Sequence, residues 1–180
     1  VFADLLTPVS AYMRLQKDAK YSFILESVEK GGQYSRYSFI GINPDIIFRS
    51  EKGKTIIETH GQRKVVETEF LTVLREHQSQ FNAPKLSGLP SFTGGLVGCL
   101  GYESIVWVED IPIYFTNELD IPDAAFMMYN NLISFDHFKN EAILFSNAHI
   151  KKGTDLREAY KKAIQQIDIM GELLHTDIDY

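Results

Sequence analysis

Apolar and polar positions in the first sixty residues follow the short runs and alternations that mark β-strands. The aromatic run at residues 21–27 (YSFILES) predicts a largely buried strand, and residues 37–42 predict a second. Two further strands at residues 45–50 and 54–59 flank Lys52-Gly53, a dipeptide suited to a hairpin turn. This part of the chain therefore predicts antiparallel strands.

Three- and four-residue apolar spacing after Thr68 and again after Thr154 predicts two helices with these residues as N-caps. Between them, residues 93–102 predict a strand that leads into a short helix reaching Trp107. Residues 124–135 and 141–147 predict two strands joined around residues 137–140. The last helix carries an apolar stripe that we expect to pack on a sheet, comprising Leu156, Ala159, Tyr160, Ala163, Ile164, Ile167 and Met170.

Strands that read as antiparallel, together with two or three helices, predict an α+β fold. We expect one domain over residues 1–174, with residues 175–180 as the start of a linker. The first residues carry no secretory signal and no initiator methionine, so we expect a piece of a longer protein.

The composition of the chain argues against some classes of partner and favours one cellular compartment. The formal net charge of −6 argues against a nucleic-acid partner, since such proteins cluster Lys and Arg. No apolar run approaches the ~18 residues that span a bilayer, so no membrane partner is expected. Cys99 is the one cysteine and cannot form an internal disulfide, which favours the cytoplasm.

Sequence motifs for common catalytic chemistry are absent. The chain has no G-x-x-x-x-G-K-[ST] phosphate loop, no H-E-x-x-H motif, no paired cysteine ligands and no G-x-S-x-G turn. Its five histidines are scattered, so we interpret them as surface or partly buried side chains. Gly94, Gly95, Gly98 and Gly101 lack the strand–helix–strand context of a nucleotide loop. They predict a close backbone approach in a packed sheet instead.

Glu26, Ser27 and Arg36 form the one constellation that suggests a ligand site. A strand ending in Glu-Ser leads into a turn, and the chain returns with Arg36 at the start of the next strand, ~4.8 Å away. Such groups could bind the ammonium and the carboxylate of an amino acid. The apolar wall would come from Phe23, Leu25 and Phe39. The alternative, which the residues alone favour, is a surface Glu–Arg pair beside a capping serine.

Three stretches resemble, in order and spacing, the amino-terminal region of anthranilate synthase large subunits. They are residues 6–12 (LTPVSAY), 25–42 (LESVEKGGQYSRYSFIGI) and 92–102 (FTGGLVGCLGY). L-E-S followed by R-Y-S-F-I-G is the most specific part. T-P-V-S-x-Y points to anthranilate synthase more than to its relative, aminodeoxychorismate synthase. The resemblance covers essentially the whole chain. The sequence departs from the family pattern at Cys99-Leu100, where aromatic residues are common in the family.

The resemblance implies an α+β fold with antiparallel sheets packed across each other. It also implies a parent lyase of tryptophan biosynthesis, which converts chorismate and ammonia to anthranilate and pyruvate. In that family the carboxy-terminal chorismate-binding domain holds the Mg²⁺ cofactor and the catalytic residues. This chain alone is therefore expected to be inactive, with no catalytic or metal residue. Its expected partners are that domain and a glutamine amidotransferase subunit that delivers ammonia.

The resemblance carries over to this chain part of a feedback-inhibition site for L-tryptophan. The matching residues are Leu25, Glu26 and Ser27, from the L-E-S motif, and Arg36. The rest of the pocket would come from segments absent here. Two alternatives stay open. One is the equivalent domain of aminodeoxychorismate synthase, in the folate pathway, and the other is a free-standing binding module without an enzymatic parent.

Overall fold

The computed structural model describes residues 3, 6–26, 36–84, 86–112 and 121–177. Its helices are α1 (Pro8–Leu15), α2 (Phe70–Ser79) and α3 (Leu156–Leu173), with a 3₁₀ helix at Tyr102–Trp107. Its strands are β1 (Ser22–Leu25), β2 (Tyr37–Ile42), β3 (Ile46–Glu51), β4 (Lys54–Thr59), β5 (Gln62–Val66), β6 (Gly95–Leu100), β7 (Ala124–Tyr129), β8 (Asn131–Asp136) and β9 (Glu141–Ser146). They fall into two compact units, residues 1–44, 86–95 and 129–180, and residues 45–85 and 96–128. The domain boundary expected after residue 174 stays a prediction.

The first unit is built on a four-stranded antiparallel sheet in the order β1-β2-β8-β9. Ile40 of β2 pairs with Ile133 of β8, so their side chains share one face of the sheet. Helices α1 and α3 pack on that face. The buried residues of this core are Ala11, Leu15, Ile40, Ile133, Phe135, Ala142, Met170 and Leu174.

The second unit is built on a five-stranded sheet in the order β5-β4-β3-β7-β6, with α2 packed against it. Its buried core consists of Phe48, Phe70, Val73, Leu74 and Ala124. At the β3–β4 turn, Lys52 and Gly53 have φ values of 52° and 74°. Two consecutive positive φ angles are typical of a type I′ turn, so the predicted hairpin is confirmed.

Two antiparallel sheets with few helices confirm the predicted α+β class. Strand β2 has the predicted bounds. The predicted strand-to-helix passage at residues 93–107 is confirmed as β6 followed by the 3₁₀ helix. Within the residues described, no helix combines the length and the apolar character needed to cross a membrane.

The apolar run at residues 124–135 forms two strands rather than the one predicted. β7 ends at Tyr129 in the five-stranded sheet, and β8 begins at Asn131 in the four-stranded sheet. An uninterrupted apolar run carries no mark of the point where a buried chain passes from one sheet to another. The pattern also misses β5, because its residues are mostly polar and exposed.

Helix α1 is not predicted by the apolar pattern, although its first residues carry a clear signal. The Thr7 hydroxyl accepts a hydrogen bond from the Ser10 backbone N–H at 3.1 Å, and the Ser10 hydroxyl accepts one from the Thr7 N–H at 3.0 Å. Pro8 follows in the first turn, where its missing N–H costs nothing. This capping box starts a helix of only eight residues, too short for a periodic stripe to stand out.

Both predicted long helices are confirmed, but the N-cap of each lies one residue later than predicted. The N-cap of α2 is Glu69, while the Thr68 carbonyl accepts a hydrogen bond from Thr55 Oγ1 at 2.8 Å. The N-cap of α3 is Asp155, whose Oδ1 accepts hydrogen bonds from two backbone N–H groups of the first turn. Thr154 instead accepts a bond from the preceding loop. At α3 the Asp155 carboxylate therefore takes the capping role predicted for the Thr154 hydroxyl, whereas Glu69 makes no side-chain cap hydrogen bond at α2.

Only the carboxy-terminal end of the α3 stripe packs into the core of the first unit. Met170 is buried and Ile167 packs beside it, whereas Leu156 and Tyr160 are 64% and 70% exposed. The expected packing of the whole stripe is therefore wrong for its first turns. The 18 residues of α3 extend for about 27 Å. The six residues of neighbouring β9 extend for only about 20 Å, so α3 is longer than the strand against which it packs.

Gly98 on β6 confirms the predicted close backbone approach. A Cβ at this position would overlap the Ala125 carbonyl oxygen and lie 2.6 Å from the Phe126 Cα. Both atoms belong to the backbone of the neighbouring strand β7, which cannot rotate aside. Glycine is therefore required for β6 to lie beside β7 as it does.

Because Tyr129 is buried, we expect the free energy of unfolding to fall at alkaline pH. Burial, with a smaller contribution from Tyr12, raises the pKa of the Tyr129 phenol to about 12. An unfolded tyrosine has a pKa near 10, so this contribution is complete below about pH 10 and is lost as the pH rises to about 12. Two pKa units correspond to about 2–3 kcal/mol. Denaturant titrations up to about pH 12 should show a smaller alkaline loss in Tyr129→Phe than in the wild type, and equal losses would contradict this assignment.

Candidate functional site

Three of the predicted site residues, Leu25, Glu26 and Arg36, lie at one end of the β1–β2 strand pair. β1 ends at Leu25 and is followed by the exposed Glu26, while Arg36 directly precedes β2. The strands are antiparallel, with Leu25 opposite Phe39, so Glu26 and Arg36 lie at the same end of the pair. Ser27 lies outside the described residues. The predicted return of the chain at Arg36 is confirmed.

Arg36 makes a bidentate ion pair with Asp136, the last residue of β8. Its Nε donates to Oδ1 at 3.0 Å and its Nη2 donates to Oδ2 at 2.6 Å. Asp136 is 2% exposed, and its Oδ1 also accepts the backbone N–H groups of Phe138 and Lys139. This carboxylate therefore joins the start of β2 to the β8–β9 turn. Arg36 has an aspartate partner that the sequence pattern does not predict.

The ion pair between Arg36 and Asp136 contributes stability that is lost at acid pH. The hydrogen bonds from Arg36, together with those from two backbone N–H groups, hold the pKa of the Asp136 carboxyl below its usual range against the effect of burial. The same pair raises the pKa of Arg36. Because the folded carboxyl pKa is lowered, the contribution is present above about pH 4 and is lost as the pH falls through the lowered value.

Arg36 keeps donors for a ligand after this pairing. A guanidinium carries five N–H donors, and Asp136 occupies two of them. The side chain is 38% exposed, and its Cζ lies 4.9 Å from the Tyr37 ring centroid. An aromatic face beside a partly solvated guanidinium holds its plane in one orientation. The remaining N–H groups are therefore held in one orientation and have no partner among the described residues.

An apolar wall lies beside this edge of the sheet. Leu25 is 47% exposed, and Phe39 across from it packs edge to face on Phe92 at 5.4 Å between ring centroids. Phe23 has another role, because its ring packs edge to face on Tyr129 at 4.8 Å. Leu25 and Phe39 thus remain as apolar surface next to Glu26.

Ser134 is a buried polar residue near this wall that the sequence motifs do not indicate. It lies on β8 directly opposite Phe39, is 0% exposed, and its hydroxyl has no hydrogen-bond partner among the described residues. A serine inside the apolar run LISF is the signal that could have identified it. An unsatisfied buried hydroxyl costs about 1–3 kcal/mol.

The described residues do not provide a metal site. No three His, Cys, Asp or Glu side chains in that part of the chain are grouped so that they could hold a metal ion.

Comparisons with known proteins identify relatives along almost the whole sequence. No family model matches. Anthranilate synthase component 1 of Acetivibrio thermocellus is 34% identical over 178 residues, which are 98% of this chain and 35% of that protein. The probable anthranilate synthase component 1 of Schizosaccharomyces pombe is 36% identical over 177 residues, 97% of this chain and 33% of that protein.

A solved structure shows the same fold. Anthranilate synthase component I from Streptococcus pneumoniae matches 98% of this chain with a TM-score of 0.60 and 28% identity, over 37% of its own length. The chain thus spans about a third of the length of the relatives that it matches. In both sequence and fold, this chain is similar to about one third of anthranilate synthase component I.

Proposed function

We propose that this chain is the amino-terminal regulatory domain of an anthranilate synthase component I. The observation that carries the proposal is similarity over 97–98% of the chain to proteins of that name, with matching sequence and fold. The parent protein would convert chorismate and ammonia to anthranilate and pyruvate. A glutamine amidotransferase subunit would supply the ammonia, and a carboxy-terminal domain would bind chorismate and Mg²⁺.

The end of β1 would contribute part of the tryptophan feedback site. The Glu26 carboxylate is exposed and available to the ligand's ammonium group. The Arg36 donors that Asp136 leaves unused would bind its carboxylate, and Leu25 would cover part of the indole ring. Ser27 would add a hydroxyl or backbone N–H by virtue of the L-E-S motif. The remaining contacts would come from the rest of the parent protein.

Inhibition would follow from differential affinity for two states of the parent enzyme. A ligand shifts an equilibrium only by as much as its affinities for the two states differ. A pocket shared between this chain and the rest of the protein is complete only when both parts adopt one arrangement. Tryptophan would therefore stabilise that arrangement and lower the activity of a distant catalytic centre.

The proposal predicts activity for the full reading frame and none for this chain alone. Purified full-length protein with chorismate, Mg²⁺ and ammonium should form fluorescent anthranilate, and tryptophan should inhibit it. The 180-residue chain should give no turnover above a mock preparation. Formation of aminodeoxychorismate without anthranilate would favour the folate-pathway relative. Sustained turnover by the short chain would show that catalytic residues lie within it, against the proposal.

A further inference from the structure

The turn between β8 and β9 presents an aromatic side chain beside the candidate site. It follows Asp136, the last residue of β8, and leads to Glu141, the first residue of β9. Phe138 lies in this turn and is 86% exposed, so no described part of the chain covers its ring. The centroid of that ring lies 5.7 Å from the Cζ atom of Arg36. An exposed aromatic surface is therefore placed next to the guanidinium of the candidate site.

Hydrogen bonds fix this turn to the start of β2. The Asp136 Oδ1 atom accepts the backbone N–H of Phe138 at 3.1 Å. The backbone N–H of His137 donates to the Arg36 carbonyl at 2.9 Å. The His137 Nε2 atom also shares a hydrogen bond of 2.7 Å with the buried hydroxyl of Ser38 on β2. The backbone of Phe138 is thus held in place from both neighbouring residues, and its position beside Arg36 follows from the fold.

The guanidinium of Arg36 lies between two aromatic rings. Its Cζ atom is 4.9 Å from the ring centroid of Tyr37 and 5.7 Å from that of Phe138. Asp136 occupies two of its five N–H donors, which leaves donors for a carboxylate. In an aromatic amino acid, a single methylene group joins the ring to the carbon that bears the carboxylate. A carboxylate on Arg36 therefore brings the ring of such a ligand within reach of Phe138.

We propose that Phe138 contacts the aromatic ring of an amino acid bound at Glu26 and Arg36. This inference rests on the proposed function for the existence of an inhibitor site. Two aromatic rings attract each other in offset or edge-to-face arrangements with their centroids 4.5–7 Å apart. The guanidinium binds the polar end of the ligand and the Phe138 ring binds its aromatic end. Phe138 is thus a further tryptophan-binding residue, contributed by the β8–β9 turn.

The experiment measures tryptophan inhibition of anthranilate formation by the full-length protein and its Phe138→Ala and Phe138→Tyr variants. Each inhibition curve is taken relative to that variant's own uninhibited rate. Phe138→Ala should require about three- to tenfold more tryptophan for half inhibition, because the ring contact is lost. Phe138→Tyr keeps the ring and should stay within about twofold of the wild type. The melting temperature of Phe138→Ala should stay within about 2 °C of the wild type, since the side chain is exposed.

Tyr160→Ala is the matched control, since Tyr160 is a 70% exposed aromatic residue on α3 of the same unit. It should leave tryptophan inhibition unchanged. Inhibition of Phe138→Ala at the wild-type tryptophan concentration would overturn the contact. A lower melting temperature with unchanged inhibition would assign Phe138 a structural role and also overturn it. Equal weakening by Tyr160→Ala would show an unspecific effect, against the proposal.

The wild-type protein separates failure of this contact from failure of the inhibitor site. If the full-length wild type forms anthranilate but is not inhibited by tryptophan, both the inhibitor site and the Phe138 contact are wrong. If the wild type is inhibited and Phe138→Ala is inhibited equally, the contact alone is wrong and the proposed function stands.

Discussion

Gly98→Ala should destabilise the second unit by about 3 kcal/mol or more, which is a large part of the stability of an ordinary domain. The added Cβ would collide with the Ala125 carbonyl and the Phe126 Cα, which are backbone atoms of β7. Relief requires that two paired strands separate. Urea denaturation of the variant and the wild type measures the difference, and a midpoint within error of the wild type would contradict the close approach.

Gly171→Ala is the matched control for this prediction. Gly171 lies in α3, and no heavy atom comes within 4 Å of the position that its Cβ would occupy. Alanine is favoured over glycine inside a helix by about 1 kcal/mol, so this variant should be as stable as the wild type or more so. Two glycine substitutions with the same added atom thus have opposite expected signs.

Ser27→Ala in the full-length protein should weaken inhibition by tryptophan and leave turnover largely unchanged. A lost hydrogen bond to a charged group costs roughly 1.5–3 kcal/mol, which is about ten- to a hundredfold in inhibitory concentration. Anthranilate formation at increasing tryptophan concentration measures the shift. Ser27 is a cleaner probe than Arg36, because replacing Arg36 would also leave the buried Asp136 without its partner.

The alternative for Ser27 is a purely structural capping role. That role predicts a lower melting temperature and lower activity with unchanged tryptophan sensitivity. Turnover, melting temperature and inhibition should therefore be measured on one preparation. Glu26→Gln provides a second test of the same site, since it keeps the shape of an exposed side chain and removes the charge that would face the ammonium group.

The sequence predicts a helix or strand boundary well when the residues at that boundary determine it themselves. Lys52-Gly53 predicts its hairpin because a two-residue turn needs positive φ angles, whatever surrounds it. The passage from β7 to β8 has no such signal, because both strands are buried and the chain changes sheets at a single residue, Asn130. Tertiary packing decides that point, and an apolar pattern does not record it.

In the candidate site, too, the sequence predicts contacts between nearby residues and does not predict contacts between distant segments. Adjacent residues and a short return of the chain are enough to bring Glu26 and Arg36 to one end of the sheet. Asp136 is 100 residues away from Arg36, so their pairing depends on the order of strands in the sheet. Ser134 likewise reaches Phe39 only through the pairing of β2 with β8. Contacts between distant segments need the topology, which periodicity does not provide.

The pairing of β2 with β8 has a consequence during protein synthesis. A ribosome adding about 5–20 residues per second needs roughly 5–20 seconds to make the 100 residues from Arg36 to Asp136. Throughout that interval β2 exists without its inner neighbour, and Ile40 has no Ile133 to pack beside. Nascent chains that stop before β8 will expose an unpaired strand and bind chaperones or aggregate. The yield of soluble protein should therefore depend on translation through residues 45–128 more than on the codons that follow.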